Sequence, residues 1–371
     1  MSPTRLSLAG LLILLLALPV AAEDEKPTDP VDRALASPQA TGLLVTDVAP
    51  ETQAAKLGIE PGDVIVTYDG HPTPSIPALQ AAMKAVTTEA LQVLVIRVDG
   101  AEKTFTLEPG RIGVVLSPVV KGKGLEPLPA ATGVKFDFSS LTETPHDDWY
   151  AFTVGGKQVG FEHGLCKLED GKLVMRREVA FDGGEQWGVN HFDVTVVLTA
   201  EPAPRAVSFS FYNPITGYSG QGELTTTDAG AAVVRYTHTA DEGGPSTVEH
   251  PVPSGLPAWP SYVVETLACF MPREKGACVH YHSITDGSGG VDRHPSALRV
   301  EDEEELEIDG TTVKTVKVQI HSSRGGAGSA FWVNEQGRVV KADYSGAVTV
   351  AAKKEDCLKD LHHGLQPRTA E

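Results

Sequence analysis

The sequence is poor in several features that would narrow its class at once. Its 371 residues include 4 cysteines, 4 methionines and only 6% aromatics, too little cysteine for a disulfide-built miniprotein. Positive charge is scarce: 31 Lys and Arg stand against 49 Asp and Glu, a formal charge of −18. Such a chain repels phosphates, so nucleic acid is not an expected partner. Beyond residue 22 no apolar run approaches the roughly twenty residues that cross a bilayer, so no stable membrane insertion is expected. Internal repeats, HExxH, GxGxxG and P-loop patterns are all missing, and neither a cofactor nor a metal is expected. The 37 Gly and 26 Pro stay below the low-complexity range, and the length fits about two domains.

The first residues have the pattern of an export signal. Arg5 supplies a positive start, Leu8–Leu18 an apolar run, Pro19 a break, and Val20-Ala21-Ala22 the small residues of a cleavage site after Ala22. A periplasmic or secreted location is therefore expected, where a disulfide can persist. Residues 23–39 are polar and punctuated by proline, and read as a flexible arm. Residues 40–117 form a patterned unit, 118–132 a linker rich in Gly, Pro and Lys, and 356–371 a tail. Residues 133–355 consist of short alternating segments between Gly, Asp-Gly and Pro signals, the mark of an antiparallel β domain. Convincing helical patterns are confined to Ile76–Ala85, a stretch near Ser261–Phe270, and Lys353–His362. The fold class expected is an α+β domain followed by a mainly antiparallel β domain, a curved sheet or sandwich, with one or two helices.

In the patterned unit, Gly42–Val48 alternates as a strand. Ala54 and Ala55 let a short helix sit close to the sheet, and Gly58 can end it. Pro61-Gly62 suits a type II turn, Asp63 is placed to accept N–H groups of that turn, and Val64, Ile65 and Val66 enter the core. Ile76, Leu79 and Met83 recur at helical spacing, and Leu91–Val98 and Thr104–Leu107 flank an Asp99-Gly100 turn. The succession of strand, short helix, Leu57-Gly58-Ile59, Pro61-Gly62-Asp63-Val64-Ile65 and Asp69-Gly70 resembles the bacterial PDZ domain.

That resemblance implies capture of a peptide or protein C-terminus as an added strand beside a helix, its carboxylate held by amides of an X-Φ-G-Φ loop. Nothing before Gly42 matches the loop, but Arg111-Ile112-Gly113-Val114 does, as in circularly permuted members. The peptide site expected is Arg111, Ile112, Gly113 and Val114 with Leu79 and Met83 of the helix. Gly113 would admit close backbone approach, the apolar four would line a pocket, and Arg111 would attract the carboxylate. A simple exit of Gly110–Leu116 from the domain, with Leu79 and Met83 as ordinary core, is the alternative.

The second domain resembles no family firmly. Cys269 and Cys278 flank a short loop containing Pro272 and Lys275-Gly276, and form the disulfide candidate; Cys166 and Cys357 are left open. Cys278, His280 and His282 share a strand face and are zinc-ligand types, but no second ligand cluster accompanies them. Ser288, within Asp286-Gly287-Ser288-Gly289-Gly290, reads as a loop residue, and the acidic stretch Glu301–Asp309 as a solvent-facing strand. The reading is a non-enzymatic, exported adaptor. Its alternatives are a PDZ-recruited hydrolase working through His163, His191, His280 or His282, and a carrier of a hydrophobic ligand in a β cleft.

Overall fold

The computed structural model describes residues 29–48, 52–85, 90–108, 112–142, 144–182, 189–227, 229–239, 244–324, 327–344, 347–359, 361, 365 and 367. The signal segment, its cleavage site and Arg111 lie outside them. The chain divides after Lys123 into two compact units. Among the described residues no helix is long and apolar enough to cross a membrane.

The first unit contains α1 (Pro30–Ala36), β1 (Gly42–Val48), α2 (Gln53–Leu57), β2 (Val64–Tyr68), β3 (His71–Pro72), α3 (Ile76–Ala85), β4 (Leu91–Ile96), β5 (Glu102–Leu107) and β6 (Val114–Val119). Its sheet runs β5–β4–β2–β1–β6, with β3 paired to β2. The local chemistry is as the sequence implies. Thr52 caps α2, and Gly58 closes it at φ +75. The Asp63 N–H donates to Glu60 O at 3.1 Å across Pro61-Gly62, with Gly62 at φ +98, a type II turn. Asp63 is buried; its carboxylate accepts the Glu60 N–H at 2.9 Å and pairs with Arg97 at 3.1 Å. Burial pushes that carboxyl up, against the pull of the Glu60 N–H and Arg97.

The expected flexible arm is corrected over Pro30–Ala36, which is helical. Asp29 accepts the Val31 N–H at 2.8 Å, Pro30 sits in the first turn, and Ala34 and Leu35 are buried with Leu44, Val64 and Val119. Cap and proline start this helix, and burial of two side chains holds it, despite its polar composition.

The second unit contains β7 (His146–Val154), β8 (Lys157–Glu169), β9 (Lys172–Asp182), β10 (Val189–Thr199), β11 (Ala206–Asn213), β12 (Tyr218–Thr226), β13 (Ala232–Thr239), β14 (Ser246–Pro251), β15 (Ala258–Pro260), α4 (Val263–Ala268), β16 (Cys278–Ile284), β17 (Ser296–Ile308), β18 (Thr311–Ser322), β19 (Ala327–Asn334), β20 (Val339–Asp343), β21 (Ala347–Ala351) and α5 (Lys354–Cys357). These strands make one 15-stranded sheet, β14 to β7 joined to β21 to β15, antiparallel except where β15 runs parallel to β16. Two meanders thus meet where β7 pairs with β21. Side chains from both meanders share one core: Leu173, Val196 and Phe209 of the first lie with Leu298, Val318 and Phe331 of the second. A sheet this long has to curl to bury its apolar face, and the shared core shows that it does. Helix α4 lies inside the curl, with Val263, Val264, Leu267 and Ala268 all buried, beside Phe136 and Phe138 of the entering chain.

That entering chain corrects the expected linker. The Glu126 N–H donates to Ser323 O at 2.6 Å and the Thr132 N–H to Cys278 O at 2.9 Å, so residues 126–132 are hydrogen-bonded into the second unit.

Candidate functional site

Strand β6 ends the sheet of the first unit and, among the described residues, pairs with β1 alone, from Gly42↔Val119 to Val48↔Val114. Helix α3 packs beside β6 and β2. An exposed strand edge next to a helix is the arrangement that accepts an extended guest. Leu79 and Ile112 are buried in one apolar cluster, Val114 packs against it, and Met83 is exposed at the surface of α3. Of the six expected residues, Leu79, Ile112 and Val114 thus lie in one apolar cluster, and Met83 is outside it.

The loop before β6 is held from behind. Ala54 N–H of α2 donates to Ile112 O at 3.1 Å. Gly113 has φ +84 and lies against Thr52, the cap of α2. Glycine is therefore needed here for its positive φ and for contact with Thr52. Among the described residues, the amides of Ile112 and Gly113 donate no hydrogen bond to another group.

The main polar feature, inside the curled sheet, has no local signal in the sequence. Arg177 on β9 donates Nε to Glu162 of β8 at 2.8 Å and a further N–H to Tyr262 O at 3.0 Å, and pairs with Glu265 of α4. The Tyr344 hydroxyl donates to Glu265. Arg177, Glu162 and Glu265 come from three different elements, and Tyr344 directly follows β20. Gly164 faces Arg177 across the β8–β9 ladder, and its missing side chain leaves space there. Burial pushes the Glu162 carboxyl up to about 7, despite the opposing pull of Arg177. Nearby, Asp148 of β7 receives Arg338 NH1 at 2.9 and 2.8 Å, and burial holds the His146 imidazole down to about 4.

Glu162, Arg177, Glu265, Asp148 and His146 line a cavity of about 30 Å³ together with Tyr150, Cys166 and Cys269. Room for a water or two is far below the several hundred Å³ of a small-molecule site. The cluster therefore reads as an internal polar brace between helix and sheet.

The expected Cys269–Cys278 disulfide is corrected: all four cysteines are free. Cys269 Sγ donates to Glu265 O at 3.9 Å within α4, whereas Cys278 Sγ donates to Pro129 O at 3.7 Å on β16. Closeness in sequence does not bring the sulfurs together, because the loop between them separates a buried helix from a strand. His280 Nε2 also meets Pro129 O, at 2.7 Å, and His282 Nδ1 meets Asp292 O at 2.9 Å. Cys278, His280 and His282 are thus each engaged by backbone.

The other two histidines lie on the sheet face turned away from the core. His163 Nε2 meets Asp147 at 2.8 Å and its ring stacks on Trp149 at 4.1 Å. His191 is buried, with Nε2 2.8 Å from Glu178. His163 stands directly opposite Glu178, and Glu178 directly opposite Asp193, in the β8–β9–β10 ladder. Strand alternation predicts that His191 and Asp193 share a face, but only the cross-strand register places Glu178 beside them.

The family model of the PDZ domain matches residues 44–97. That span runs from β1 to the end of β4, leaving β5 and β6 outside the match. No curated protein matches the chain. The chain carries a PDZ domain at its N-terminal end, followed by a large, mainly antiparallel β-sheet domain.

Proposed function

We propose that this protein is an exported, non-enzymatic adaptor whose PDZ domain binds C-terminal peptides of envelope or secreted proteins. The guest adds as a strand to the outer edge of β6, its carboxylate at the Ile112 and Gly113 amides and its last apolar side chain between Val114 and the Leu79–Met83 face of α3. The observation carrying this reading is a strand edge beside α3 with no second strand against it among the described residues, led by amides that bond no described acceptor. Arg111 adjoins the loop in sequence and supplies attraction for a carboxylate. The apolar N-terminal run followed by Val20-Ala21-Ala22 supports export.

The test is fluorescence-anisotropy titration of the full chain with peptides ending in Val or Leu, each as free acid and as amide. Free acids should bind, with affinity at least tenfold weaker for the amides and for Met83→Glu, an exposed position that leaves the core untouched. Absence of binding across a library of C-terminal peptides, or equal affinity for acid and amide, would overturn the reading.

A further inference from the structure

We propose that Glu178, His191 and Asp193 form a divalent transition-metal site on the outer face of the large sheet, separate from the PDZ domain. One ligand atom from each of the three lies within 4.8 Å of the others. His191 and Asp193 are two apart on β10, so both project from one face, opposite Val194, Val196 and Leu198 of the core. Glu178 reaches the same face from β9, paired directly with Asp193. Donors in a tetrahedral zinc site stand about 3.4 Å apart, given metal–ligand bonds of about 2.1 Å. His191 and Glu178 are already at 2.8 Å, so small rotations complete the set.

A divalent cation held by two carboxylates and one imidazole takes His191 in its neutral form, the form that ligates. The frame is rigid: β9 and β10 sit inside the ladder between β8 and β11, and no ligand comes from a loop. One imidazole nitrogen and two carboxylate oxygens suit zinc or cobalt, whereas calcium requires six or more oxygens. Three protein ligands leave a coordination position for water, with His163, held by Asp147 and Trp149, at the rim.

The test is calorimetric titration of the chelator-treated full chain with zinc chloride, and with cobalt(II) chloride followed by its visible absorption. Expected is one zinc per chain, at least tenfold weaker for Asp193→Asn and for His191→Gln, with the cobalt spectrum lost in both. The double variant Glu303→Gln/Glu305→Gln, on the acidic strand β17, should bind as the native chain does. Asp193→Asn is nearly isosteric and only half-buried, so it keeps the test decisive should His191→Gln fail to fold. No saturable binding, zinc binding that survives Asp193→Asn, or equal competition by calcium would overturn the proposal.

Discussion

Gly113 sits so close to Thr52 that an added Cβ would lie 2.6 Å from Thr52 Oγ1. The loop that begins β6 is therefore wedged against the cap of α2, and the edge offered to a guest is fixed by an element on the other side. Gly113→Ala adds that overlap to the cost of a positive φ, and should destabilise the first unit by about 2–4 kcal/mol. Hydrogen exchange of β1 and β6 amides in the full chain should accelerate accordingly. Thr52→Gly in the same chain removes the overlap but not the φ cost, and should restore part of the protection. Native-like exchange in Gly113→Ala would refute the wedge.

Leu35 is 3% exposed and packs with Leu44, Val64 and Val119. Leu35→Ala should therefore cost the first unit about 2–4 kcal/mol. A loose arm would make the change silent, and exchange protection at Leu44 and Val64 distinguishes the two outcomes.

How far the sequence is legible depends on the range of the interaction. The Glu60–Asp63 turn, the Gly58 closure and the Ile76–Ala85 helix are set by neighbouring residues, and are read correctly from them. Helix α1 is hidden because its buried pair, Ala34 and Leu35, meets partners far along the chain. In the second unit, strands such as Lys172–Asp182 and Val339–Asp343 follow from alternation. The joining of β7 to β21 does not, and neither does the gathering of Glu162, Arg177, Glu265 and Tyr344, since both depend on register across distant strands. Cys269 and Cys278 show the opposite error, in which short separation suggests contact that the fold prevents.

With all four cysteines free, reduction should leave the mass of the denatured chain unchanged, and four thiols should react in denaturant without reductant. In the native chain they should react slowly, because burial pushes the Cys269 thiol up to about 12 and Cys357 up to about 11, leaving little thiolate at neutral pH. Any mass gain on reduction would restore the disulfide.

Arg177 pairs with two buried carboxylates, Glu162 and Glu265. Arg177→Met should destabilise the second unit by about 3–5 kcal/mol at pH 8, because the charges it leaves are uncompensated. The loss should shrink toward pH 5 as Glu162 takes up a proton. Tryptophan fluorescence reports this directly, since the four tryptophans, 149, 187, 259 and 332, all follow the division at Lys123. A loss independent of pH would mean that Arg177 acts by packing alone.

Asp286 is 2% exposed, and its carboxylate accepts the Tyr262 N–H at 3.3 Å where α4 begins. Burial pushes its carboxyl up to about 7 from an ordinary 3.8, outweighing that N–H. Between those values the folded chain holds a proton that the unfolded chain has released. The stability this provides is complete below the unfolded value and is lost as pH rises through the folded one. Glu162 acts in the same direction, from 4.5 to about 7. His146 opposes them: held at about 4 instead of 6.5, it costs stability as pH falls through that window. Two carboxyls against one imidazole leave a net uptake of one proton on folding between 4.5 and 6.5. These three groups should therefore make the stability of the second unit fall by about 1.4 kcal/mol per pH unit as pH rises across that range, and Asp148, whose carboxyl burial also pushes up, acts in the same direction. Asp286→Asn keeps an acceptor for the Tyr262 N–H and removes the ionisation. It should be more stable than the native chain by about 4 kcal/mol at pH 7.5 and by about 2 kcal/mol at pH 5. Urea unfolding followed by tryptophan fluorescence at the two pH values measures both differences; a variant equally stable relative to native at each would show that Asp286 does not titrate in the folded chain.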